Sequence, residues 1–171
     1  MSYKETLPQS KAPKGAKGPC FLADDHLAKL ARWLRILGFD TLYFERIENS
    51  DLIRKAVEEK RIVLTRDTDI ARDPGGARCI FIRSDNWIEQ IKQIVSELGL
   101  AVNRDSLFSR CLLCNTLLQP IPKPDVKERV PPFVFQTQEE FVLCPSCGKI
   151  YWQGTHVSRV LDKLKPIFGS D

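Results

Sequence analysis

The chain has 171 residues and a formal net charge of +4; 43% of its residues are hydrophobic and 28% are charged. This length and composition suit one full domain and one small one. No stretch approaches the roughly 18 consecutive apolar residues of a membrane span, and no apolar segment of a secretory signal opens the sequence. These features argue against a membrane protein and predict a cytoplasmic one with reduced cysteines.

The charges are distributed unevenly along the chain. Residues 1–19 carry four lysines against one glutamate and have little to bury, so we expect a disordered basic tail there. Residues 20–105 are nearly neutral, whereas residues 106–171 carry eight basic and six acidic side chains. A neutral middle with basic ends is compatible with an anionic polymer as the partner.

Residues 20–105 contain short apolar runs that alternate with stretches in which apolar residues recur every three or four positions. The apolar runs predict buried strands at residues 20–23, 41–44, 61–65 and 79–82. The periodic stretches predict helices at residues 26–37, 50–59 and 86–98. Because parallel strands covered on both faces read as continuous apolar runs, this order predicts an α/β domain with a parallel sheet.

Acidic residues stand where three of these strands would end. Asp24 ends the first strand, Asp51 begins the helix after the second, and Asp67 and Asp69 follow the third. The carboxyl ends of parallel strands meet at one edge of the sheet, where functional crevices form. Carboxylates gathered there repel one another unless a cation such as Mg²⁺ or Mn²⁺ neutralises them. The pattern therefore predicts a divalent-metal site able to activate water for phosphoryl displacement.

Each of these acids also has a structural interpretation. Asp24 or its neighbour Asp25 could cap the first helix, and Asp51 could favour a helix N-terminus through the helix dipole. Asp67 and Asp69 could be turn residues. The convergence of four acids at one sheet edge favours the metal site.

Arginines surround the same edge. Arg32 and Arg35 lie three positions apart on the first predicted helix, and Arg66 lies between the third strand and Asp67. Such residues could hold the phosphates of a substrate. They could also form a solvated helix face or pair with the acids, so both interpretations stay open.

Four cysteines form two pairs with the same internal spacing, Cys111 with Cys114 and Cys144 with Cys147. Each pair can wrap one turn of backbone around a cation, and two pairs complete a tetrahedral shell of four thiolates. Gly148 can supply the positive φ of the turn after the second pair. Because protein fills all four positions, we expect a structural Zn²⁺ in a small ribbon over residues 106–171.

The remaining elements of this second segment are less regular. Closely spaced prolines predict a long irregular connection between the cysteine pairs, and strands follow at residues 133–135 and 140–143. A last helix is predicted at residues 156–164, with Thr155 as its N-cap. The two leftover cysteines, Cys20 and Cys79, adjoin or lie in predicted strands, so we expect buried reduced thiols.

Several segments resemble the Mut-seven C-terminal RNase family, in which a PIN-like nuclease domain is fused to a zinc ribbon. The resemblance covers about residues 20–164, in the expected order. The segments are Phe21-Leu-Ala-Asp24, Leu30-Ala-Arg-Trp-Leu-Arg35, Leu37-Gly-Phe-Asp40, Arg61-Ile-Val-Leu-Thr-Arg-Asp67, Arg110-Cys-Leu-Leu-Cys-Asn115 and Tyr151-Trp-Gln-Gly-Thr-His156.

The resemblance implies a three-layer α/β/α PIN-like domain over residues 20–105, RNA as the partner and metal-dependent RNA cleavage. The acid pattern of PIN domains carries over onto Asp24, Asp51, Asp67 and Asp69 as catalytic residues. Because PIN domains often pair, a homodimer is possible. One departure is local: Asp25-His26 stands where the family usually has an apolar pair.

The sequence is compatible with three functions. The first is a ribonuclease whose zinc ribbon assists RNA binding, with Trp152 as a stacking platform or a packing residue and with phosphate contacts from Lys123, Lys127, Arg129 and Lys149. The second is a non-catalytic RNA- or ribosome-binding adaptor on the same fold. The third is a receiver-like phosphoacceptor domain, which would need a lysine after a late strand where this chain has Arg83.

Overall fold

The computed structural model describes Gly15 and residues 18–168. Most of the basic tail predicted at residues 1–19 lies outside this part, as do the side chains of Thr155 and His156. In the part of the chain that is described, no helix is both long enough and apolar enough to span a membrane.

The first half of the chain forms the predicted parallel sheet. Its four strands are β1 (Phe21–Ala23), β2 (Thr41–Tyr43), β3 (Ile62–Thr65) and β4 (Cys79–Phe81). They lie in the order β2-β1-β3-β4, and all neighbouring pairs are parallel. Every residue of β1 and β3 is buried, which explains why these central strands read as continuous apolar runs.

Helices cover both faces of this sheet, which gives the predicted three layers. They are α1 (Ala28–Ile36), α2 (Asn49–Glu58), α3 (Thr68–Arg72) and α4 (Trp87–Leu98), and a 3₁₀ turn (Asp25–Leu27) precedes α1. Phe21 and Ala23 of β1 face a core shared with α1 and α4. Leu22 faces the opposite core, which contains Leu52 of α2 and Ile70 of α3.

The second half forms an antiparallel sheet in the order β5-β6-β7. Its strands are β5 (Gln119–Ile121), β6 (Phe141–Leu143) and β7 (Ile150–Trp152), with α5 (Pro132–Thr137) before β6 and α6 (Thr155–Phe168) after β7. Helix α6 returns to α4, and its Leu164 is fully buried in the core shared by α1 and α4. The last helix therefore completes the first domain, although it follows the ribbon in sequence.

Four helices or strands differ from the sequence predictions, and one of them is strand β7, which was not predicted. The strand predicted at residues 133–135 is wrong: these residues belong to α5, because Pro131 and Pro132 preset the backbone for a first helical turn. Strand β5 was not predicted, yet it accommodates Pro120 because it is an edge strand of its sheet. Helix α3 was not predicted, because five residues are too short to show periodicity.

Neither of the two leftover cysteines is fully buried, in contrast to the prediction. Cys20 and Cys79 are free thiols with intermediate exposure. Burial, with a smaller effect from the Asp24 charge, raises the pKa of the Cys79 thiol.

Candidate active site and metal centre

Asp24 lies at the carboxyl end of β1 and is only 3% exposed. Its Oδ1 accepts a hydrogen bond from the His26 N–H at 3.0 Å. Its Oδ2 accepts two more, from the Thr65 hydroxyl and from the Arg66 N–H at 2.9 Å. Because the donors come from the turn before α1 and from the end of β3, they fix the carboxylate between the two central strands.

Three donors do not saturate this carboxylate. A carboxylate has about four lone-pair sites, two on each oxygen, and Oδ2 already accepts two hydrogen bonds. One site therefore remains on Oδ1, which lies 3.9 Å from the His26 Nδ1. The hydrogen bonds that Asp24 accepts therefore leave room for one further bond, to a divalent cation or to water.

Asp25 and His26 extend this site toward solvent. The His26 Nδ1 lies 2.8 Å from the Asp25 Oδ1. One ligand atom each from Asp24, Asp25 and His26 lies within 4.8 Å of the other two. Two carboxylates and an imidazole are a donor set that a divalent metal can use.

Asp67 holds the end of β3 in a defined geometry. Its Oδ1 accepts the N–H groups of Asp69 at 2.7 Å and of Ile70 at 3.3 Å, which caps α3. Its Oδ2 accepts a hydrogen bond from the Asn49 Nδ2 at 3.2 Å. The bonds from the Asp69 N–H, from Asn49 and from the Ile70 N–H, in that order, lower the pKa of Asp67 and keep it ionised.

Asp69 is exposed and Asp51 is partly exposed, and each is paired with an arginine on its own helix. The Asp51 Oδ1 lies 2.8 Å from Arg54, and the Asp69 Oδ1 lies 3.3 Å from Arg72. Among the described residues, no three of the four predicted acids place their oxygens within 4.8 Å of one another. Their assignment as a single metal-binding set therefore stays a prediction.

The sequence analysis missed Asn49 and Thr65. Asn49 begins α2 and donates to Asp67, while Thr65 ends β3 and donates to Asp24 through its hydroxyl. Both are neutral, so a search for charged residues passes over them. Their signal in the sequence is position: each is a polar residue two places before a predicted acid.

The three predicted arginines have different environments. Arg32 is exposed and has no hydrogen bond or ion pair with any residue that the structure describes. Arg66 donates to the Ser84 carbonyl at 2.7 Å and pairs with Asp85 at 2.6 Å. An RNA-binding role for Arg32 and Arg66 stays a prediction, and Arg66 would have to exchange Asp85 for a phosphate.

Arg35 is only 6% exposed and binds backbone carbonyls. Its Nε donates to the Thr41 carbonyl at 2.8 Å, and one Nη donates to the carbonyls of Leu112 and Leu113 at 2.9 and 3.0 Å. Burial lowers its pKa, against the smaller raising effects of Cys111, Cys114 and Asp40. These contacts connect β2 to the first cysteine pair, and they give no support to the prediction that Arg35 binds RNA.

The four paired cysteines come together as a compact cluster. Their sulfur atoms all lie within 4.8 Å of one another; Cys111 and Cys147 are 3.6 Å apart, and Cys114 and Cys144 are 3.3 Å apart. Sulfurs around a tetrahedral zinc, at about 2.3 Å from the metal, would be separated by roughly 3.8 Å. The cluster therefore fits a Zn²⁺ ion bound by four thiolates.

The groups around the sulfurs suit metal binding. Burial would raise the pKa of Cys114, but hydrogen bonds with Thr116 and Cys144 lower it to about 6. Burial and the contact with Cys114 raise the pKa of Cys144 to about 12, so within this pair Cys114 is the thiolate, the form that binds metal. The Tyr151 hydroxyl lies 3.1 Å from the Cys111 sulfur and accepts the Leu112 N–H at 3.3 Å. Burial, followed by the contact with Cys111, raises the pKa of Tyr151 and keeps its phenol protonated as a donor to that sulfur.

A network of charged and amide groups attaches the first cysteine pair to the sheet. The Asp40 Oδ1 accepts hydrogen bonds from Arg61 and from the Asn115 amide, and its Oδ2 lies 3.4 Å from Arg110. The Asn115 Oδ1 accepts the Thr41 N–H at 3.0 Å. Burial would raise the pKa of Asp40, but the bonds from Arg61 and Asn115 and the charge of Arg110 outweigh burial and lower it.

The ribbon side chains considered for RNA binding have mixed surroundings. Lys123 pairs with Glu139 at 2.7 Å, and Arg129 donates to the Gly148 carbonyl at 3.1 Å. Trp152 packs against the hydrophobic cluster around Val126 and not, as its packing interpretation had it, against the cysteine cluster.

The comparisons with known proteins identify the family of this chain. The model of the Mut7-C RNAse domain matches residues 19–164, which include Asp24 and all four paired cysteines. No curated protein and no solved structure matches the chain. Because the match covers most of the sequence, the chain belongs to the Mut7-C RNAse domain family.

Proposed function

We propose that this protein is a metal-dependent ribonuclease that hydrolyses phosphodiester bonds of RNA. The observation that carries the proposal is the match of the Mut7-C RNAse domain over residues 19–164, which includes every predicted acid. The buried Asp24 carboxylate, with one acceptor site left over, supports the proposal because a binding group must be fixed before it meets its ligand.

The four acids have distinct roles in the proposed site. Asp24 supplies the fixed oxygen, and Asp67 is held ionised by its hydrogen bonds. Asp51 and Asp69 are bound only to exposed arginines, and surface ion pairs contribute little energy, so both side chains can exchange their partner for a cation at small cost. A bound Mg²⁺ or Mn²⁺ would supply Lewis-acid chemistry for water activation and charge stabilisation.

The four cysteines would hold a structural Zn²⁺, since their sulfurs leave no position open for a substrate. The ribbon then presents basic side chains to RNA on the same molecule. A cytoplasmic location belongs to the proposal as well, and the proposal leaves the oligomeric state open between a monomer and a homodimer.

A non-catalytic RNA-binding adaptor is the second candidate. One observation favours it: Asp51 and Asp69 are neutralised by Arg54 and Arg72, and neither belongs to a ligand group among the described residues. On this alternative the acids would serve folding, and RNA would bind without being cleaved.

Cleavage of mixed RNA with added Mn²⁺ or Mg²⁺ separates the two candidates. We expect the wild type to cleave and the Asp24→Asn and Asp67→Asn variants to lose cleavage, because each loses a carboxylate charge at the proposed metal. Asp162→Asn, which changes an exposed acid on α6, is the control and should cleave normally. Equal cleavage by all variants, or RNA binding with no cleavage by the wild type, would contradict the ribonuclease proposal.

A further inference from the structure

A cavity of about 380 Å³ lies between α1, β2 and the cysteine cluster. Its volume is within the range of about 300–1,000 Å³ that is typical of small-ligand sites. The functional side chains on its walls are Arg32, Arg35, Tyr43, Lys149 and Tyr151. Three of them are cations and two are aromatic, and no acidic residue of the described chain lines the cavity.

Two of these cations are available to a ligand. Arg32 is exposed and has no hydrogen bond or ion pair within the described ranges, and Lys149 is exposed with its ammonium 5.9 Å from the centre of the Tyr151 ring. Elsewhere on the first domain, Arg54 and Arg72 are paired with carboxylates. Arg35 is held by carbonyls through its Nε and one Nη, so it adds a fixed positive charge to the wall of the cavity.

The cavity adjoins the acidic site. The Tyr43 hydroxyl donates to the Asp25 carbonyl at 3.3 Å, so one wall of the cavity is bonded to the chain segment that carries Asp24 and His26. A second wall begins at Ala28, two residues after His26. The cavity therefore lies beside the chain segment that carries the acidic site.

We propose that this cavity is a subsite for single-stranded RNA, in which Arg32 and Lys149 hold a backbone phosphate next to the scissile one. The inference rests on the proposed ribonuclease function and specifies where its substrate runs. Unpaired cations on a wall without acids suit a phosphate, and the rings of Tyr43 and Tyr151 offer surface to the nucleoside. A free nucleotide would offer the same chemistry, but the cavity's connection to the acidic site favours a continuous strand.

The test measures RNA affinity separately from cleavage. In an Asp24→Asn background that prevents turnover, the fluorescence anisotropy of a fluorescein-labelled single-stranded RNA reports binding at several salt concentrations. The variant pair is Arg32→Ala with Lys149→Ala, and the matched pair is Lys92→Ala with Lys163→Ala, which removes the same charge from exposed helix positions outside the cavity. Zinc content and thermal unfolding check that both double variants are folded. If the Arg32→Ala and Lys149→Ala variant is not folded, the Arg32→Gln and Lys149→Gln variant replaces it.

We expect the cavity pair to weaken RNA binding at least tenfold more than the matched pair. Because each neutralised phosphate of a single strand contributes about 0.7 to the salt slope, losing the one phosphate that Arg32 and Lys149 hold should reduce the slope by about 0.7. Equal affinities and slopes for the two pairs would overturn the subsite, even if the wild type cleaves RNA.

Two further outcomes separate the subsite from its alternatives. A wild type that binds RNA through Arg32 and Lys149 but never cleaves it would overturn the ribonuclease proposal and support the subsite. In the other outcome, substituting Arg32 and Lys149 weakens the binding of adenosine monophosphate or inorganic phosphate but leaves the affinity for RNA unchanged. The cavity would then be a site for a free nucleotide or phosphate, and the RNA subsite would be overturned.

Discussion

The Asn49 amide donates a hydrogen bond to the Asp67 Oδ2 at 3.2 Å, and this bond connects the start of α2 to the end of β3. It is one of three hydrogen bonds that keep the Asp67 carboxylate ionised; the other two come from the backbone of α3. Asn49 also places Asp51, two residues further on, at the same edge of the sheet.

The Asn49→Ala substitution should raise the pKa of Asp67 toward the ordinary value of roughly 3.9, because one hydrogen bond to its charged form is lost. An NMR titration of the carboxyl carbon measures this directly. Asn103→Ala is the control, because Asn103 caps a distant 3₁₀ turn and should leave Asp67 unaffected. An unchanged titration in Asn49→Ala would mean that the two α3 N–H bonds alone set the pKa.

Asp40→Asn should destabilise the protein in a pH-dependent way. The folded pKa of Asp40 lies below its unfolded value of roughly 3.9. The stabilisation by its ion pairs is therefore complete above about pH 5 and is lost as the pH falls through the folded pKa. In urea unfolding between pH 3 and 7, the free energy of unfolding of the wild type should exceed that of Asp40→Asn by about 1–3 kcal/mol at neutral pH, and this difference should shrink on acidification. A difference that grows toward low pH would contradict the assigned direction of the pKa.

The sequence predicted the central strands because β1 and β3 are buried on both faces and contain almost only apolar residues. It failed at residues 133–135, where Phe-Val-Phe favours a strand by propensity but the two preceding prolines start a helix. The cysteine cluster was predictable because the spacing within each pair is local and two such pairs suit one tetrahedral metal site.

The acidic site was only partly predictable. Strand order places Asp24 and Asp67 at neighbouring strand ends, which a sequence pattern can anticipate. Where the Asp51 and Asp69 oxygens point depends on Arg54 and Arg72, each three positions further along the same helix. Acid–arginine pairs at this spacing can be recognised in the sequence. Whether the acid binds its arginine or a cation depends on the relative free energies of the two interactions, which the spacing does not determine.

Arg35→Lys should lower the free energy of unfolding by about 2–3 kcal/mol. The planar guanidinium donates hydrogen bonds to the carbonyls of Thr41, Leu112 and Leu113 at the same time. A lysine ammonium in the same buried place cannot match that geometry. Urea denaturation measures the loss. Arg32→Lys, an exposed change on the same helix, should stay within about 0.5 kcal/mol of the wild type. Equal stabilities would mean that the carbonyl contacts contribute no net energy.

Tyr151→Phe should weaken zinc binding by about 10–100-fold, because the hydroxyl that contacts the Cys111 sulfur is lost from the surroundings of the metal. Competition with a chromophoric chelator measures the zinc affinity. Tyr43→Phe is a matched control, since its hydroxyl contacts the Asp25 carbonyl and not a cysteine. If Tyr151→Phe and Tyr43→Phe bind zinc with equal affinity, the contact between the Tyr151 hydroxyl and the Cys111 sulfur does not contribute to zinc binding.

Leu164→Ala should destabilise the first domain, although Leu164 lies in the last helix of the chain. Its side chain is fully buried in the core that α1 and α4 share, and truncating a buried leucine costs about 2–5 kcal/mol. Hydrogen exchange of the β1 and β3 amides reports the stability of that domain, and Leu113→Ala, at an exposed site of the ribbon, is the control. Faster exchange in β1 and β3 would show that α6 stabilises the first domain. If only ribbon amides exchange faster in Leu164→Ala, then α6 belongs energetically to the ribbon.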